Sequence, residues 1–184
     1  MVIVLRFNVC KTEIVIEYSF ILIISFALLT GSYSIIYVLL FSCLHELGHL
    51  TVLFIYKCIP ERITFSCCGI GLKYKYSFSF FREILFFSAG LIVNFVFFLL
   101  NIQREINYAL FLINFLPVYP LDGGRLLKLI LNNKLSLSIS DNIYKCVSAF
   151  IITALIIFSN YTKNLSLIII SIYVIIFALN NTPE

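Results

Sequence analysis

His45 and His49 are the only two histidines in the chain, and they bracket the segment His45-Glu46-Leu47-Gly48-His49. On a helix, positions i and i+4 lie one turn apart on the same face, so both imidazoles would point the same way. That spacing suits two nitrogen ligands on one tetrahedral zinc ion, with Glu46 close enough to act on a water held there. Two histidines scattered at random in a chain of this length fall four apart about one time in ninety. A glutamate directly after the first lowers that to about one in two thousand. The alternative is a pair of buried histidines satisfied by backbone carbonyls, which leaves the spacing to chance.

A hydrolytic zinc takes three protein ligands and keeps a fourth position open for water. With no third histidine, the remaining ligand must be a carboxylate or a thiolate. Of nine acidic residues, only Asp122 joins Glu46 deep within an apolar stretch. A carboxylate at that depth is costly unless it pairs or binds a metal. Its neighbours explain how it could turn inward: Pro117 and Pro120 interrupt a helical ladder, and Gly123-Gly124 permit unusual backbone angles. The alternative here is a proline-kinked helix whose Asp122 pairs with Arg125. Six cysteines form no CxxC pair, and Cys43 would sit on nearly the opposite side of the helix from His45.

The elements that must position these residues are membrane spans. The chain has 184 residues, 61% of them hydrophobic and 12% charged, with a mean hydropathy of +1.05. Those values exclude an ordinary soluble domain, and the scattered basic residues make no nucleic-acid patch. We expect an all-α polytopic membrane protein of six spans in a single domain, residues 1–184. After a short extended lead-in over 2–12, the spans are 14–30, 33–56, 80–100, an interrupted one from 106 to about 131, 143–158 and 165–179. The catalytic core would be the three spans within 33–131, with 14–30, 143–158 and 165–179 peripheral. Between the second and third spans, residues 57–79 alternate apolar and polar around a glycine-rich centre, as a β-hairpin does.

Basic residues decide orientation. Eleven lie on the side of the N-terminus (Arg6, Lys11, Lys57, Arg62, Lys73, Lys75, Arg82, Arg125, Lys128, Lys134 and Lys145), and two on the other (Arg104 and Lys163). By the positive-inside rule both termini are cytoplasmic, which puts His45 and Asp122 toward the cytoplasmic side. The many Ile, Asn, Lys and Tyr residues fit an AT-rich bacterial source, hence a bacterial membrane.

Two motifs in this order carry a family resemblance. The HELGH segment, followed by Asn114-Phe-Leu-Pro117-Val-Tyr-Pro120-Leu-Asp122-Gly123-Gly124-Arg125, resembles the site-2 protease family of intramembrane zinc metalloproteases. The form of the second motif is most similar to the bacterial branch that contains stage IV sporulation protein FB. The resemblance implies one zinc ion held by His45, His49 and Asp122, Glu46 as the catalytic glutamate, and Asn114 and Pro120 shaping the substrate cleft. It also implies a transmembrane or membrane-tethered protein substrate, such as a precursor sigma factor in sporulation, with an inhibitory membrane protein as a further partner. The competing function is a zinc-binding membrane protein without proteolysis, against which Glu46 argues. Two departures stand out: Leu91 follows Ala89-Gly90 where the family commonly has proline, and no nucleotide-sensing domain follows the membrane part before Glu184.

Overall fold

A computed structural model of the chain describes residues 3–9, 11–66, 69–75, 78–163 and 172. The chain divides into two compact units, Met1–Phe111 and Leu112–Glu184.

The first unit starts with a strand pair where a lead-in and the start of a span were expected. β1 (Ile3–Val9) and β2 (Thr12–Glu17) run antiparallel, with Arg6 opposite Val15 and Val9 opposite Thr12. The β-branched run Ile14-Val15-Ile16 pleats well and goes to the sheet rather than to a helix. Helix α1 therefore covers only Tyr18–Thr30. Its 13 residues rise about 20 Å, short of a hydrocarbon core of about 30 Å. The expected first span is corrected accordingly.

β2 continues the sheet on its other side, pairing in parallel with β3 (Arg62–Ser66), which pairs antiparallel with β4 (Gly69–Lys73). The sheet order is β1-β2-β3-β4, so the expected hairpin is half of a four-stranded sheet and β4 is an edge. Side chains fasten β2 to the start of β3 and the residue pair before it. Thr12 Oγ1 donates to the Pro60 carbonyl at 2.9 Å, and Arg62 Nε donates to Glu13 Oε2 at 2.6 Å. Just beyond β4, the Lys75 ammonium donates to Glu61, which pushes the lysine above its ordinary value through hydrogen bond and charge.

The parallel β2–β3 pairing needs a long crossover, supplied by α1 and α2 (Tyr33–Ile55). Between them Gly31 takes a left-handed φ of 63°, and Ser32 N–H donates back to Ala27 O at 3.0 Å, closing α1 in a tight turn. Helix α2 has 23 residues and rises about 34 Å; α3 (Phe80–Leu99) has 20 and rises about 30 Å. Phe41, His45, Gly48, His49 and Val52 form one buried stripe along α2. Gly48 lies against α3 so closely that a Cβ would sit 2.9 Å from Ala89 O and Val93 Cγ2. Away from that stripe large apolar side chains point outward, among them Leu40, Phe54 and Ile55. After α3 the Asn107 amide, on α4 (Arg104–Phe115), donates to Ile102 O at 2.8 Å and closes the turn.

In the second unit the chain leaves α4, breaks over 116–121, and resumes as α5 (Asp122–Lys134) and α6 (Leu137–Thr162). Pro117 and Pro120 each lack an N–H, so no helical ladder passes through them. The Tyr119–Pro120 peptide is cis. Val118 and Leu121 turn inward and pack with Ile113, Leu116, Ile151 and Ile152. Ser148 Oγ of α6 donates to Pro117 O at 3.4 Å. A Cβ on Gly123 would overlap the Phe115 carbonyl, and one on Gly124 the Val118 carbonyl, so both glycines let the first turn of α5 fold back on the break.

Among the described residues, α2, α3 and α6 are long and apolar enough to cross a membrane, and α1 is a shorter apolar helix. Where an interrupted fourth span was expected, the chain forms two short helices, α4 and α5, with a break between them, and neither is long enough to cross a membrane alone. The fifth extends further than expected, from Leu137 to Thr162. The sixth, 165–179, lies outside the described residues.

Candidate metal centre

The α2 stripe carries both imidazoles into the interior: His45 and His49 are each 4% exposed, with ring centroids 5.0 Å apart. Their Nε2 atoms face one another at 3.3 Å. Two ring nitrogens brought this close on one helix face are the arrangement a chelating histidine pair requires. His49 Nδ1 lies 2.8 Å from the Phe86 carbonyl of α3. A carbonyl oxygen only accepts, so Nδ1 carries the proton and Nε2 is left bare. The Phe86 ring, 5.1 Å from His49, stacks in turn on Tyr74, Phe78 and Phe87 and walls the imidazole with apolar surface.

Helix α3 shapes the other side of the pair. A Cβ on Gly90 would overlap the imidazoles of both His45 and His49. One turn on, the fully buried Asn94 places Nδ2 at 3.0 Å from His45 Nδ1. The Asn94 Oδ1 has no hydrogen-bond partner. Glu46 follows His45 directly and is half-buried.

In the second unit Asp122 opens α5 and is 7% exposed. A carboxylate in the first turn is favoured by the helix dipole. Pro120 is half-buried at the cis peptide, and the half-buried Asn114 is in the last turn of α4. His45 and His49 in the first unit and Asp122 in the second are each buried. Two imidazoles and one carboxylate are the donor types of a hydrolytic zinc site.

Phe86, Gly90 and Asn94 follow at i, i+4 and i+8 along α3 and make its face toward the histidines. Reasoning from sequence gave none of them a role, although an asparagine within an apolar span is itself a functional signal. Gly90 serves close packing, and its neighbours are the two imidazoles.

Among solved structures, the chain is similar to the site-2 protease from Methanocaldococcus jannaschii. The TM-score is 0.72 at 24% sequence identity, over 98% of this chain and 95% of that one. The chain has a site-2 protease fold. Searches against protein-family models and against the curated proteins find no match. The site-2 protease fold implied by the two motifs is observed, mostly helical but with a four-stranded sheet, and it supports a membrane protein together with the three long apolar helices among the described residues.

Proposed function

We propose that this chain is an intramembrane zinc metalloprotease that cuts a membrane-associated protein in or near its transmembrane segment. The observation that carries the reading is the buried pair His45–His49, with Nε2 atoms 3.3 Å apart, one residue from a glutamate in a site-2 protease fold. In this reading His45, His49 and Asp122 are the ligands of one zinc ion, which supplies Lewis-acid polarisation of water and of the scissile carbonyl. Glu46 takes a proton from the attacking water and returns it to the leaving amine. The Asn114 amide donates to the carbonyl oxygen as negative charge develops there. Pro120 shapes the cleft that receives the peptide.

A transmembrane helix keeps its peptide groups bonded to one another, so the substrate must unwind before it is cut. The edge strand β4 supports an account of how it is then held. An extended peptide can add to such an edge through backbone hydrogen bonds, and Gly69 and Gly71 leave room beside it. The substrate we favour is a membrane-tethered precursor sigma factor, processed from the cytoplasmic side. An anti-sigma factor or a signal-peptide remnant is the other class to try. Co-expression of single-span substrates with the intact protein or with Glu46→Gln tests the reading. Cleavage only by the intact protein supports it, and equal cleavage by both removes the proposed base.

A further inference from the structure

We propose that a cavity at one end of the four-stranded sheet binds a phosphate group, carried by a lipid headgroup or by a small soluble ester. The cavity has a volume of about 330 Å³ and is lined by Lys11, Glu13, Glu61, Arg62 and Lys73. None of these residues belongs to the metal centre. The strand register builds the cavity. Asn8, Glu13, Arg62 and Lys73 are partners in one row across β1, β2, β3 and β4, so their side chains rise from the same face. Lys11 joins them from the turn between β1 and β2, where its φ of 78° is one that glycine or asparagine adopts more readily. Glu61 precedes β3 and is tied to the row by its backbone. Its N–H donates to Lys73 O and its carbonyl accepts from Glu13 N–H, each at 2.8 Å.

The charges around this space do not cancel. Glu13 accepts from Arg62 Nε at 2.6 Å and lies 3.7 Å from the Arg6 guanidinium, while Lys75 holds Glu61 at 2.5 Å. Both carboxylates are thus already matched by cations. Among the described residues, Lys11 and Lys73 have no acidic partner. Two unpaired ammonium groups and the Arg62 guanidinium, of which Glu13 takes Nε, therefore line one cavity from three separate elements. A tetrahedral phosphate, with several oxygens pointing apart, can meet donors that arrive from three directions; a planar carboxylate has only two oxygens to offer. The place in the chain also suits a headgroup. The backbone reaches Glu61 soon after α2 ends at Ile55, and leaves Lys73 shortly before α3 begins at Phe80. Both helices are of bilayer length, so the cavity lies where the chain passes out of the apolar core, the depth at which basic pockets meet lipid phosphates.

The test uses the purified full chain in neutral detergent, with glycerol 3-phosphate and phosphatidylglycerol as separate probes, each followed by phosphorus NMR titration. At least one probe should bind saturably. The double variant Lys11→Gln, Lys73→Gln should weaken that binding about 10- to 100-fold, the range for losing a hydrogen bond between charged groups. Both lysines are exposed, so replacing them should not unfold the chain. The control Lys134→Gln, Lys145→Gln removes the same charge from exposed positions on α5 and α6 and should leave affinity unchanged. Binding of glycerol 3-phosphate assigns the site to a soluble ester; binding of phosphatidylglycerol alone assigns it to a headgroup. No saturable binding of either probe overturns the proposal. So does wild-type affinity in Lys11→Gln, Lys73→Gln, and so does an equal loss in the control, because the probe then reads only the overall charge of the protein.

Discussion

No side chain fits at Gly90 because the His45 imidazole occupies the space its Cβ would fill. The helix that carries the paired histidines and the helix behind them are thus matched at one residue. Gly90→Ala must push either α3 or both imidazoles, and overpacking of this kind costs about 1–3 kcal/mol. We expect a folded protein with lower thermal stability and zinc affinity reduced at least about tenfold. Zinc titration of the purified variant checks this, and wild-type affinity would show that the glycine is only a packing site.

The break between α4 and α5 depends on a second close approach. Gly124 lies against the Val118 carbonyl, and Val118 is wholly buried among Ile113, Leu116, Ile151 and Ile152. Gly124→Ala should therefore displace the 116–121 segment and Asp122 with it, lowering stability by about 1–3 kcal/mol. Cleavage of a co-expressed substrate should fall while the His49 hydrogen bond to Phe86 persists. A 15N NMR spectrum of the two histidines and the cleavage assay, read together, separate the two effects.

Ligand loss and base loss should differ in kind. His45→Ala or Asp122→Ala should abolish both zinc binding and cleavage, because two remaining donors hold the ion poorly. Glu46→Gln should keep the metal and lose cleavage by about 10²- to 10⁴-fold, the usual range for a positioned acid–base group. Zinc retained at full occupancy by Asp122→Ala would remove that residue from the ligand set.

Orientation has its own check. Lys73→Cys and Lys134→Cys should react with a membrane-impermeant thiol reagent only from the cytoplasmic side, and Lys163→Cys only from outside. The labels should be read in a background whose native cysteines are replaced. Reversed labelling would invert the assignment of the site to the cytoplasmic half.

Much of this was legible in the chain, for physical reasons that differ from place to place. The α2 and α3 boundaries follow from apolar runs of bilayer length, and the break before Asp122 from prolines that cannot donate. The hairpin at 62–73 was legible from alternation, but its partner strands were not. Ile14, Val15 and Ile16 read equally well as the start of an apolar helix, and only pairing with β1 and β3 decides for a strand. The histidine pair announces itself by spacing. Asn94 does not, because its role depends on a neighbour 49 residues away, brought into range by helix packing.

The central claim is tested most directly by measuring zinc in purified wild-type and Glu46→Gln protein, with cleavage of one substrate followed in the same preparations. The account predicts about one zinc per chain in both and cleavage by the wild type alone. Active wild-type protein free of zinc would contradict it.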